Sequence, residues 1–253
     1  ITTGGNNVAM GYAALSGDTL GSRNVAIGVA ALQVQNFTTA TDAYNTAVGT
    51  LAGAAVTTGI YNTILGGLAG DAITDADRNV AIGYSALTTN TVGSESVAIG
   101  AFALNSQNPA TATAMYNVAV GHNSGSAVTT GIQNTLIGGL AGDVLTDADY
   151  NVAVGVSALG ADTLGSQSTA IGYSALTNQN FTTATNSVNT AVGYQAGAAV
   201  TTGRFNNLFG ALAGDALTTG EKNVAIGVNA LGSDTTGGRT VAIGQGALTT
   251  QNH

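Results

Sequence analysis

Cysteine is absent from the 253-residue sequence, so neither a disulfide nor a thiolate metal site can hold this chain together. Charge is scarce as well: Asp, Glu, Lys and Arg make up 7% of the residues, less than a disordered chain carries. A single Pro excludes collagen, which also needs Gly at every third position. The five basic residues, Arg23, Arg78, Arg204, Lys222 and Arg239, are scattered, and the formal net charge is -8. No basic stripe exists to neutralise phosphates or anionic headgroups, so nucleic acid is not an expected partner. Membrane insertion is not expected either, because no long apolar span or signal peptide is visible. A start at Ile1 rather than Met is expected of a fragment of a longer fibre. What remains is small and apolar: 37 Gly among Ala, Thr, Val, Ile and Asn, the composition of an all-β chain.

Self-similarity organises these residues. A Gly closes each short apolar stretch, at Gly11, Gly28, Gly49, Gly66, Gly83, Gly100, Gly121, Gly138, Gly155, Gly172, Gly193, Gly210, Gly227 and Gly244. The spacing is 17 residues, widened to 21 after Gly28, Gly100 and Gly172, so a 17-residue rung is nested in a 72-residue super-repeat of four rungs. Residues 1–253 are therefore expected to form one repeat array without separate domains, a parallel β-solenoid or β-roll of 14 rungs.

The residue before each Gly is apolar throughout and is expected to be the core ladder: Ile27, Val48, Leu65, Ile82, Ile99, Val120, Ile137, Val154, Ile171, Val192, Phe209, Ile226 and Ile243. Side chains alternate along a strand, so the Val or Thr two positions earlier shares that face. Between them lies Ala, replaced in every fourth rung by Ile64, Leu136 or Leu208. This small face is expected to admit a second backbone, and three columns packed on it would supply the core that one thin column lacks.

Beyond the Gly, a position that is Leu15 and Leu32 becomes Gly53 and Gly70, then Leu87 and Leu104. The Gly pairs include the rungs with Ile64, Leu136 or Leu208, which predicts volume compensation between neighbouring rungs. Four residues before the main Gly stands a polar ladder: Asn24, Asn45, Asn62, Asn79, Asn117, Asn134, Asn151, Asn189, Asn206 and Asn223, with Ser96, Ser168 and Thr240 at the equivalent places. Asn suits tight turns and can bond equivalent atoms of successive rungs. Thr-Thr-Gly, as at Thr57 to Gly59, punctuates the turns.

Strings such as Asn24 to Leu32 (NVAIGVAAL), Asn79 to Leu87 (NVAIGYSAL) and Asn189 to Gly197 (NTAVGYQAG) resemble two related repeat classes across essentially the whole chain. One is the head of trimeric autotransporter adhesins, with a left-handed parallel β-roll. The other is the tail-fibre and tail-spike repeat of bacteriophages, of the NTAVGYQAL type, which the 17-residue rung with Thr-Thr-Gly matches better. The resemblance implies a homotrimeric left-handed β-roll fibre.

The insertions, at residues 33–44, 105–116 and 177–188, bring Phe37, Tyr44, Pro109, Met115, Tyr116 and Phe181 into a chain poor in aromatics. Loops on a rigid stack are a common seat of recognition, although Phe37 and Phe181 are expected rather to fold back over the core or a neighbouring chain. Carboxylates recur in register at Asp71, Asp75 and Asp77 and at Asp143, Asp147 and Asp149. Such a spacing could hold calcium through oxygen ligands, but solvated turn residues are the expected reading, and no cofactor or metal is expected. His122 stands alone in its register and His253 is terminal; no nucleophile, base and acid fall together, so an enzyme is not expected. The expected function is the structural and adhesive shaft of a phage tail fibre or similar surface appendage, in the virion or at the cell surface, projecting elements that bind a host glycan or protein receptor. An autotransporter-type adhesin head, the shaft of a polysaccharide depolymerase and an ice-binding solenoid are the alternatives.

Overall fold

The computed structural model describes residues 4–251, so His253 lies outside the described residues. Among the described residues there is no helix, only strands of two or three residues. The chain divides between Thr130 and Gly131 into two compact units, each a parallel β-solenoid of seven turns.

In the first unit the strands Val8–Met10, Val25–Ile27, Thr46–Val48, Thr63–Leu65, Val80–Ile82, Val97–Ile99 and Val118–Val120 pair in chain order, all parallel and all in the register of the repeat. In the second, Thr135–Ile137, Val152–Val154, Thr169–Ile171, Thr190–Val192, Asn207–Phe209, Val224–Ile226 and Val241–Ile243 do the same. Val, Ile and Thr favour the extended backbone, and the Gly after each strand ends it with φ near +130°. A side chain there is excluded twice over. Besides the backbone angle, a Cβ on Gly28 would lie 2.4 Å from the carbonyl oxygen of Gly49 in the next turn.

The faces of the strand are the reverse of the sequence expectation. Ala26, Ala47, Ala81 and Ala98 of the middle position, with Ile64, Leu136 and Leu208, are wholly buried and form the interior. The expected core ladder points outward: Ile27, Val48, Ile82, Ile99, Val120, Val154 and Val192 are half-buried, and Leu65, Ile137, Ile171, Phe209, Ile226 and Ile243 are exposed. The small face is therefore covered by the chain's own turns and cannot admit another backbone. The reason is width: a 17-residue turn encloses space for about one large side chain, and that side chain comes from the opposite turn. Leu15, Leu32, Leu87, Leu104, Leu159, Leu176 and Leu231 fill it in half of the turns.

Volume compensation operates as the alternation predicts. Ile64 reaches so far across that a Cβ on Gly53 would meet its Cδ1 at 2.8 Å, and one on Gly142 would meet Leu136 Cδ2 at 2.8 Å. Turns with Gly at this place carry a buried aliphatic three residues later, Val56, Ile73, Val128, Leu145, Val200 or Leu217. Turns with Leu carry a buried polar residue there: Asp18, Gln35, Asn90, Gln107, Asp162 or Gln179.

The Asn ladder is real, and it joins side chain to backbone rather than amide to amide. Asn62 Oδ1 accepts the Asn79 N–H at 2.9 Å, and its Nδ2 donates to the Ala76 carbonyl at 2.8 Å. Asn45, Asn79, Asn151, Asn189, Asn206 and Asn223 repeat both bonds from fully buried positions. Each Asn thus ties its turn to the equivalent atoms of the next one. Threonines add a second tie, as Thr57 and Thr74 donate their hydroxyls to the carbonyls of Thr74 and Thr91, both at 3.1 Å.

Candidate functional site

The insertions absorb their extra residues in a small bulge and then rejoin the stack. Thr41–Asp42 pairs in parallel with Gly21–Ser22, Thr113–Ala114 with Gly93–Ser94, and Thr185–Asn186 with Gly165–Ser166. Within the bulges Phe37 and Phe181 are each 6% exposed, Pro109 is buried and Met115 is fully buried. These four expected contact residues fold back over the interior of their own chain, because an apolar bulge is more stable covering the open side of a turn than facing water. Tyr44 and Tyr116 remain at the surface.

A buried polar node, at residues outside those expected from the sequence, anchors each bulge. Asp18, Asn90, Asp162 and Asp234 stand 72 residues apart, and each side chain accepts the N–H of the Gly three residues later at 2.9 to 3.0 Å. Gln35 Nε2 donates to Asp18 Oδ2 at 2.9 Å, and Gln179 donates likewise to Asp162. On their other side Gln35 and Gln179 accept from Asn45 and Asn189. Burial raises the Asp162 carboxyl above the ordinary carboxylate range, while the bonds from Gln179 and from the N–H groups of Phe181, Gly165 and Thr163 act the other way. The signal that could have found these residues is their 72-residue recurrence.

The same node explains why Ser96 and Ser168 interrupt the Asn ladder. They precede the widened rungs, where the chain turns into the bulge and the node Gln takes up the space: Ser96 and Ser168 hydroxyls bond Gln107 and Gln179. Asn24 keeps the amide at this register, and its buried Nδ2 has no hydrogen-bond partner.

The acidic candidates work as turn ties. Asp77 Oδ1 accepts the Ile60 N–H and Asp149 Oδ1 the Ile132 N–H, both at 2.8 Å. Asp71 accepts from the Thr88 hydroxyl and Asp75 from Thr74. Asp143 and Asp147 hold the corresponding places in the second unit, and burial raises the Asp143 carboxyl. Among the described residues no three His, Cys, Asp or Glu side chains come together as a cation would require.

The surface itself is the remaining candidate. At the outward positions of the strands no turn carries Asp, Glu, Lys or Arg. Along this charge-free strip Val8, Met10, Leu65, Phe209, Val241 and Ile243 are among the exposed large side chains. All eight Tyr are exposed and stand in two columns that flank the strip: Tyr44, Tyr61, Tyr116 and Tyr150 before it, Tyr12, Tyr84, Tyr173 and Tyr194 after it. Tyr44 stacks on Tyr61 at 5.8 Å, with Arg23 and Arg78 over the two rings, and Tyr173 stacks on Tyr194 at 5.5 Å. The column before the strand has positive φ in every turn, near +60°, which turns these side chains away from the interior.

Set against models of known protein families the sequence matches none, and no curated protein matches it. No helix among the described residues is long and apolar enough to cross a membrane.

Proposed function

We propose that this chain is a structural and attachment module, the shaft of a phage tail fibre or similar surface appendage, in which three parallel copies meet through the Val and Ile faces of their ladders. In this reading it is a scaffold, presents binding elements to a host glycan or protein receptor, and performs no catalysis. The observation that carries it is the charge-free apolar strip. Polar and charged side chains surround it, yet Val and Ile recur along the strip in both units at positions the chain's own interior does not use. Water leaves such a surface at about 25 cal/mol per Å² of apolar area, and a rotational arrangement lets one patch serve every copy. The buried Asn bonds suit the role mechanically, because they leave no flexible joint between successive turns.

Multi-angle light scattering on the purified chain tests the assembly. Three times the chain mass is expected, and a monomer at micromolar concentration would overturn the trimer.

A further inference from the structure

The super-repeat makes each region of the chain a control for its equivalents 72 residues away. Several departures between copies change the character of the side chain, and one set of them falls together in space. Residues 102, 105, 106, 122, 123 and 126 read Phe, Asn, Ser, His, Asn and Ser, where the copy before them reads Ala30, Gln33, Val34, Thr50, Leu51 and Ala54. An aromatic ring, an imidazole and three small polar groups have replaced mainly small or apolar residues, and Asn105 replaces a longer amide.

The structure brings these six together. With Ala127 they line an open cleft of about 410 Å³ in the first unit. Backbone bonds stack the contributing turns directly, Phe102 N–H on the Tyr84 carbonyl at 2.9 Å and Asn123 N–H on the Ala101 carbonyl at 3.0 Å. Phe102 and Asn123 both have positive φ, 60° and 55°, a geometry the turn imposes on every copy. The Phe102 ring meets the His122 ring edge-on at 6.3 Å, so the two form the aromatic wall of the cleft beside the amides and hydroxyls, and Tyr84 backs Phe102 edge-on at 5.4 Å from outside the lining.

We infer that this cleft binds an uncharged saccharide. The lining contains no Asp, Glu, Lys or Arg, which removes the groups that would select an anion or a cation. What it offers is a π-rich wall for the apolar face of a sugar ring, next to side chains that both donate to and accept from hydroxyls. Its volume falls within the range of small-molecule sites, about 300 to 1,000 Å³. The cleft lies on the turn beyond the strand, to one side of the Val and Ile strip. The inference deepens the attachment reading, on which it rests for the encounter with a surface glycan, and a trimer would present three such clefts for avidity.

The test uses the full chain and a variant rewritten to the preceding copy, His122→Thr, Asn123→Leu and Ser126→Ala, with Phe102→Ala as a second variant. Because residues 50, 51 and 54 already carry those side chains in the same fold, the rewritten turn has a precedent for folding. Saturation-transfer NMR against glucose, galactose, mannose and N-acetylglucosamine, followed by a printed array of neutral oligosaccharides, gives the readout. Transfer to at least one neutral sugar is expected from the unaltered chain, with at least a tenfold loss of affinity in both variants at unchanged melting temperature. No saccharide bound, or binding by both variants as tight as by the unaltered chain, would overturn the cleft. Light scattering on the same samples separates the two ideas. A monomer that binds sugar in this way retains the cleft and sinks the trimer, while a trimer that binds none does the opposite.

Discussion

Each buried Asn satisfies two backbone groups of the neighbouring turn, and that arithmetic sets the consequence of removing it. In Asn79→Ala the Ser96 N–H loses its acceptor and the Gly93 carbonyl loses the amide donor, though Asn90 also donates to it. A buried polar group left without a partner costs about 1 to 3 kcal/mol, so the variant is expected to lose about 2 to 4 kcal/mol in urea unfolding. Asn24→Ser is expected to cost less, about 1 to 2 kcal/mol, because it removes one bond, from the Asn45 N–H to Oδ1 at 3.1 Å, while the amide nitrogen has no partner. Equal losses in the two variants would contradict the bonding scheme. The recurrence of Asn was readable from the sequence; its partners were not, since they lie 14 and 17 residues away in the next turn.

A single turn is the unit in which volume is shared. Gly53 and Ile64 occupy the same interior space from opposite sides, so Gly53→Leu overfills it and Ile64→Ala empties it. Each is expected to destabilise the chain by about 2 to 4 kcal/mol, while the double variant recovers at least about 1 kcal/mol of the sum. Additive losses in a double-mutant cycle would refute the shared space. The trade between Leu and Gly can be read from the alternating pairs alone; the polar counterpart at Asp18, Gln35 and Asp162 shows in the sequence only as a 72-residue recurrence, which does not mark the carboxylates as buried.

That carboxylate makes the element sensitive to pH. With its folded pKa raised above the unfolded value, Asp162 binds its proton more tightly in the folded chain. Its contribution to stability is full below the ordinary carboxylate pKa and is lost as pH rises through the raised value. Asp162→Asn, for which Asn90 is the natural precedent, is expected to be more stable than the unaltered chain at neutral pH. The gap should close as acid is added, read as urea midpoints across the series. A gap that widens on acidification would show that the hydrogen bonds to the carboxylate outweigh its burial.

At the scale of the whole molecule, the alternation of the strand defined two faces correctly and left open which was inside. Size suggested that Val and Ile were the core, the usual rule for a wide interior. A narrow turn inverts it: Ala lines the lumen, and the larger side chains stand on the surface. A charge placed on that surface therefore separates assembly from folding. Ile99→Glu, at a half-buried outward position, is expected to leave the circular dichroism of the turns intact and to abolish the proposed trimer, giving a monomer in light scattering. Loss of the β signal together with assembly would place Ile99 in the fold of the single chain instead.

Because the turns within each unit bond to the equivalent atoms of their neighbours, a unit keeps no record of its own length. Removing residues 29–100 would join Gly28 directly to Ala101, the residue that follows the equivalent Gly100, so the junction would keep the register of the repeat. Recombination between copies of the encoding 72-residue unit could thus lengthen or shorten the chain in whole steps without a new folding problem to solve.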